Sequence, residues 1–285
     1  MVRIENLTKS FRGAAVLRDV NLTFRRGERV ALVGANGAGK TTLVRCLLGE
    51  YRHRGRIAID GRSPRTERRA VLQRTGFVPQ LPPPLKMPVG ELLRFAANLC
   101  GAPVSALDGV ARQLGLDTGK VRGQSFSKLS GGQKQKLLIA VALGRETDLL
   151  VLDEPAANLD PEARHTFFDL LAERAADATL LLSSHRLDEV APLVDRVVEL
   201  DRGRVALDDR VADGHDTAPL HCSLELVRDE PAMAAVLRDW GFACDASGRS
   251  FDGSVPAADR LRFLAMLSRY SGALARVQLE RAGDT

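Results

Sequence analysis

The chain has 285 residues, 45% of them hydrophobic and 27% charged. That suits one large folded domain with a small one, or two modest ones. The 41 Lys and Arg against 36 Asp and Glu leave a formal charge of +5, too mild to point to nucleic acid. No apolar run is long enough for a membrane-spanning helix, and the opening MVRIENLTKSF lacks an apolar core of signal-peptide type. A cytosolic protein that inserts into no membrane is expected, with any membrane role carried by a partner.

In chain order, residues 1–33 read as strands: VNLTF at 20–24 alternates, and RVALV at 29–33 is a short apolar run closed by glycine. GRIAIDGRS at 55–63 places Asp-Gly after an alternating strand, a hairpin signal. The run 51–74 is densely basic with few aromatics. It reads first as a solvated face, and second as a surface for phospholipid head groups or an acidic partner loop. LPPPLKMP at 81–88 must be a structured loop, because proline lacks the N–H donor and fixes φ. Residues 89–144 read as mostly helical. DLLVLD at 148–153 and ATLLLSS at 178–184 are buried strands, with a helix between them starting at Pro161 and N-capped by Asp160. Helices alternating with buried strands predict an α/β core around a mostly parallel sheet.

The polar, turn-rich stretch at 208–219 reads as a linker, with domain limits at 1–210, 211–219 and 220–285. Beyond it the pattern restarts: strand LHCSLELV, helix EPAMAAVLRDWG, two short strands in FACDASGRSFDGSV, helix PAADRLRFLAMLSRYSG and strand ALARVQLE. That β-α-β-β-α-β order predicts a small α+β unit of ferredoxin-like type. Cys46, Cys100, Cys222 and Cys244 are scattered with no CxxC spacing. They read as reduced, partly buried thiols. Cys222 and Cys244, both in predicted strands, are a conceivable but less favoured soft-metal pair.

The chemistry is concentrated earlier. GANGAGKTT at 34–42 follows a predicted strand, opens a predicted helix, and fits GxxxxGK[ST] from Gly34 to Thr41. Its glycines let backbone N–H groups curl around phosphate oxygens. Lys40 can reach the β- and γ-phosphates, and the Thr41 hydroxyl can bind Mg²⁺. Asp153 ends a buried strand, so its carboxylate is placed at the edge where open parallel sheets bind ligands. Glu154, next in line, can polarise an attacking water. His185 ends another buried strand. A lone histidine is more often structural, but this strand-end position favours a γ-phosphate contact. Gln80 ends a predicted strand in GFVPQ and could reach Mg²⁺ or the water through its amide.

The stretch LSGGQKQKLLIAVAL at 129–143 completes a series. A phosphate loop, LSGGQ, a strand ending in Asp-Glu and a strand-end histidine, in this order, resemble the ATP-binding cassette (ABC) family over residues 1–210. The resemblance implies a P-loop NTPase fold with a mixed sheet core, an antiparallel β subdomain and a helical subdomain, using ATP and Mg²⁺. Phe11 stands where an aromatic, more commonly tyrosine, stacks on adenine. Gly34, Asn36, Gly37, Gly39, Lys40, Thr41 and Thr42 match the phosphate loop. Thr41, Gln80 and Asp153 match the metal positions, and Glu154, His185 and Gln80 the hydrolytic ones. Ser130, Gly131, Gly132 and Gln133 match the signature that closes over nucleotide held by an opposing subunit. Asn158, Leu159 and Asp160 match the loop linking the two sites. The implied partners are a second ABC subunit, itself or a similar chain, and an integral-membrane permease touched by the helical region 81–128. The implied place is the cytoplasmic face of a bacterial inner membrane. The C-terminal appendage resembles those of some exporter-type ATPases, including the one associated with nitrous oxide reductase maturation and copper-site assembly. The rival class is a soluble mechanical ABC ATPase that remodels a complex without transport.

Overall fold

The computed structural model describes residues 1–174, 177–184, 190–210, 219–256, 259, 263, 266–267, 270 and 273–281. The chain divides into two compact units: a first covering residues up to 185 and 198–208, and a second that includes 209–285.

The first unit opens with β1 (Val2–Phe11) and β2 (Ala14–Phe24). Arg12 and Gly13, both at positive φ, turn one antiparallel strand into the next. β4 (Arg54–Ile59) pairs antiparallel with β1 on its other side, giving a three-stranded sheet in the order β2-β1-β4. The second sheet has six strands in the order β5-β6-β7-β3-β8-β9. They are β3 (Arg29–Val33), β5 (Thr75–Val78), β6 (Leu149–Asp153), β7 (Thr179–Ser183), β8 (Arg196–Asp201) and β9 (Arg204–Arg210). The β5/β6, β6/β7 and β7/β3 pairs are parallel. Every residue of β6 and β7 is buried, the reason their sequences are unbroken apolar runs without alternation.

Helix α1 (Lys40–Leu47) joins the sheets: Leu43, Val44 and Leu47 share one core with Val2 and Ile4 of β1 and with Leu149 and Val151 of β6. Burying each such leucine contributes roughly 1.5–3 kcal/mol, which fixes the start of α1 relative to the strand ends. α2 (Arg68–Gln73) and α7 (Pro161–Arg174) flank strands of the same unit. The predicted helical region is α3 (Val89–Cys100), α4 (Val104–Gln113), α5 (Thr118–Val121) and α6 (Gly131–Leu143). α3 follows Pro88 and stops at Gly101, whose φ of 68° closes the helix in the left-handed region. Residues 81–88 form an irregular loop, as the prolines require.

Two sequence expectations change. The Asp60-Gly61 turn forms, with both residues at positive φ and a single bridge between Ile59 and Arg62. No returning strand follows, because Pro64 has no N–H to offer a ladder and β4 pairs with β1 instead. The polar stretch expected to begin a linker at residue 208 is still strand there, since β9 runs to Arg210. Residues 211–218 of that linker lie outside the described residues.

The second unit holds β10 (Leu220–Leu226), α8 (Pro231–Asp239), β11 (Ala243–Cys244), β12 (Ser250–Val255) and β13 (Leu274–Arg281). The strands form one antiparallel sheet in the order β11-β12-β10-β13. Leu220, Cys222, Leu224 and Leu226 face its core, where the Phe242 and Phe263 rings stack at 5.0 Å. Most of the helix expected between β12 and β13 falls outside the described residues.

Candidate active site

The chain leaves β3 and enters α1 through three glycines at positive φ: Gly34 (139°), Gly37 (84°) and Gly39 (112°). At Gly34 the backbone passes so close to β8 that a Cβ would lie 2.2 Å from the Leu200 carbonyl oxygen. Asn36 and Gly37 form the exposed crown of the loop. Lys40 is buried, and its ammonium donates to the carbonyl oxygens of Gly34 (2.6 Å) and Ala35 (3.2 Å). These bonds meet the cost of burying the charge and hold it inside the ring of the loop. Gly39 caps α1 without a side chain, and no acid stands in the first turn, where Thr41 and Thr42 follow Lys40. The first-turn N–H groups and the positive helix end therefore face the hollow of the loop, an anion-binding arrangement.

Gly34→Ala should cost about 1–3 kcal/mol, from forced displacement of the β8 backbone and an unfavourable φ. A thermal unfolding scan of the purified variant checks this, and an unchanged midpoint would contradict the packing at Leu200.

Three further predicted positions fall along the edge where neighbouring parallel strands end. Gln80 lies two residues past β5 and is exposed. Asp153 ends β6 and is 2% exposed, with Oδ1 accepting a 2.6 Å bond from the Ser183 hydroxyl. Glu154 adopts φ 49°, a left-handed backbone, and its N–H is bonded to the Ser183 carbonyl (3.2 Å) and hydroxyl (3.0 Å). With strand order β5-β6-β7-β3, this edge carries an amide, two carboxylates, a hydroxyl and the phosphate loop side by side. His185, two residues beyond β7, lies outside the described residues.

Phe11 ends β1 with 39% of its surface exposed. The Tyr51 ring meets it edge-on at 5.2 Å, and Lys9 Nζ stands 4.3 Å from the Phe11 ring centre. Arg45 of α1 donates to the Tyr51 hydroxyl at 3.0 Å, tying this aromatic pair to the helix behind the phosphate loop. Sequence reasoning passed over Tyr51 and Lys9, since neither sits in a motif.

The LSGGQ stretch opens α6. Ser130 is the N-cap in a full capping box: its hydroxyl accepts from Gln133 N–H (3.2 Å), and its own N–H donates to Gln133 Oε1 (3.0 Å). Gly131 and Gly132 form the bare first turn. A Cβ on Gly132 would stand 3.1 Å from the Asn158 carbonyl oxygen, so glycine lets the helix approach the 155–160 loop. Two side chains sequence reasoning missed fasten that loop. Buried Gln135 donates from Nε2 to the Pro155 carbonyl at 2.8 Å, and Lys136 pairs with Asp160 at 2.8 Å. Their signal was only spacing: they lie on the first two turns of a helix whose N-terminus was already singled out. Asp160 also caps α7 through Ala163 N–H (2.9 Å). Lys136 first, and this backbone bond second, hold its carboxyl below the usual range. The predicted residues thus fall into two groups, one around the phosphate loop and strand ends, the other around the start of α6 and the 155–160 loop.

The chain is similar to known proteins over most of its length. The family model described as ABC transporter matches residues 17–157. An aliphatic sulfonates import ATP-binding protein of Nocardia farcinica is 39% identical over 213 residues, covering 73% of this chain and 80% of that protein. A putative ABC transporter ATP-binding protein of Methanosarcina mazei is 36% identical over 274 residues, or 88% of this chain. The match spans only 45% of that relative's length. A solved ATP-binding subunit of an ABC transporter superposes with a TM-score of 0.67 at 30% identity, covering 74% of this chain and 90% of its own. The ordered motifs, the strand-edge geometry and these relatives converge on one conclusion: the chain belongs to the ABC transporter ATP-binding family, a family of ATPases.

Proposed function

We propose that this chain binds and hydrolyses ATP as one of two cassettes and drives a separate membrane permease. The observation that carries the reading is one sheet edge: Asp153 ends β6 and Glu154 follows it, and only β7 separates them from β3, whose glycine-lined loop leads into Lys40 and Thr41 of α1. Phe11 takes the adenine on its exposed face. Lys40, the N–H groups of Gly34–Thr42 and the Thr42 hydroxyl take the phosphates. Thr41, Asp153 and Gln80 offer only oxygen ligands, a donor set that fits Mg²⁺. When bound, the ion supplies charge neutralisation at the phosphates. Glu154 accepts the proton of the attacking water, with Gln80 and His185 ordering the same reaction.

Ser130–Gln133 and Asp160 lie in the second group, joined to each other through α6 rather than to their own chain's phosphate loop. That division supports a site completed by a second copy, whose α6 N-terminus caps the γ-phosphate. Residues 220–285 act as an accessory unit of split βαβ type, outside the chemistry.

Among the described residues no helix is long and apolar enough to cross a membrane. α3 nonetheless exposes Phe95 (53%) and Leu99 (56%), with Leu81 (76%) in the loop ahead of it. At i, i+4 spacing Phe95 and Leu99 share one face, a surface suited to an apolar permease helix on the cytoplasmic side. Phe95→Ser with Leu99→Ser should reduce recovery of membrane partners from detergent extracts about tenfold or more, while fluorescent-nucleotide binding persists. Undiminished recovery of the same partners would place the docking surface elsewhere. Recovery of soluble complexes alone, with no integral-membrane protein, would favour the remodelling reading instead.

A further inference from the structure

We propose that Ser183 is a positioning residue of the hydrolytic centre, its hydroxyl setting Asp153 and Glu154 relative to each other. The inference rests on the assignment of those two carboxylates above. Ser183 is the last residue of β7 and is fully buried. In the parallel register it stands directly beside Asp153. A serine hydroxyl has one proton to give and lone pairs to receive, and both are committed here. The proton goes to Asp153 Oδ1 at 2.6 Å, and a lone pair receives the Glu154 N–H at 3.0 Å.

Each bond answers a local need. Asp153 is 2% exposed, and a carboxylate so deeply buried is costly without a hydrogen bond. An ionised carboxylate only accepts, so a donor on the neighbouring strand both lowers that cost and selects one rotation of the group. Glu154 has φ 49° without being glycine, a strained conformation that persists only where the surroundings hold it. The hydroxyl and carbonyl of Ser183 both bond its N–H. Behind it, the next residue is held by the bond from Gln135 to the Pro155 carbonyl. The sharp exit from β6 is therefore clamped from two sides, and the side chain of Glu154 leaves the sheet in a fixed direction.

Ser183→Ala removes the hydroxyl and keeps the carbonyl bond to Glu154. Ser183→Thr keeps the hydroxyl on a residue type that strands favour. Loss of a group that orients metal ligands typically lowers metal affinity or activity about 10- to 100-fold. In Ser183→Ala, kcat should fall within that range, with KM for ATP changing less than about threefold. The Mg²⁺ concentration that half-saturates binding of a fluorescent ATP analogue should rise by about tenfold or more. That equilibrium readout needs no turnover. Ser183→Thr should recover kcat and the Mg²⁺ midpoint to within about threefold.

A folded Ser183→Ala protein with unchanged kcat and Mg²⁺ midpoint overturns the proposal, as does a Ser183→Thr protein as impaired as the alanine variant. Glu154→Gln run alongside separates the two levels. If that variant still turns over, the site reading itself falls. If it is dead while Ser183→Ala is fully active, only the role of Ser183 falls.

Discussion

Glu154→Gln should retain ATP and lose turnover by about 100-fold or more, the scale of a missing general base. The substitution keeps the side-chain volume and removes only the basic oxygen. The backbone that aims it does not depend on the carboxylate. Its left-handed φ is held by the carbonyl and hydroxyl of Ser183 through the Glu154 N–H. The phosphate loop lies on another strand, and Lys40 is fixed by the Gly34 and Ala35 carbonyls, so nucleotide affinity has no reason to fall. Phosphate release under saturating ATP, beside equilibrium nucleotide binding, separates the two quantities. Near-normal phosphate release would remove Glu154 from the base role.

How far the sequence already showed this follows from where its information lay. Asp153 could be read because four consecutive apolar residues from Leu149 to Leu152 end in acid, a pattern that means a buried parallel strand reaching the sheet edge. The phosphate loop could be read because Gly34, Gly37 and Gly39 are required by positive φ and close backbone approach, and such demands leave glycine in the sequence. Asp160 with Pro161 marked a helix start that the Ala163 N–H bond realises. Ser183 could not be singled out in LLLSS, since its role depends on cross-strand register, which one sequence does not state. Gln135 and Lys136 were hidden for the same reason, because their partners at Pro155 and Asp160 come from a different element. Tyr51 sits in an arginine-rich run whose charge drew attention away from its ring. The false hairpin at Asp60-Gly61 shows the converse: turn chemistry was read correctly, but strand pairing was decided by β1.

The second large effect concerns Ser130 and Lys40, and it bears on the claim that each site is shared between two copies. Ser130→Arg should abolish stimulated hydrolysis. It loses a cap worth about 1 kcal/mol and, on the proposed shared site, places a long cation where the γ-phosphate of the opposite copy would enter. α6 itself should survive, since Gln135 and Lys136 still fasten it to the 155–160 loop. Lys40→Ala should also abolish hydrolysis, by removing the ammonium from its own phosphate loop. Each variant alone then has no complete site. In a mixed dimer, the intact phosphate loop of the Ser130→Arg copy meets the intact Ser130 of the Lys40→Ala copy, restoring one site of two. Half the dimers in an equal, freely exchanging mixture are of this kind, so roughly a quarter of wild-type activity should return. The decisive measurement is therefore steady-state ATP hydrolysis by the 1:1 mixture against each variant alone. Recovery approaching that quarter from two inactive proteins is the predicted result. A mixture as inactive as its components, with mixed dimers shown to form, would contradict the shared site.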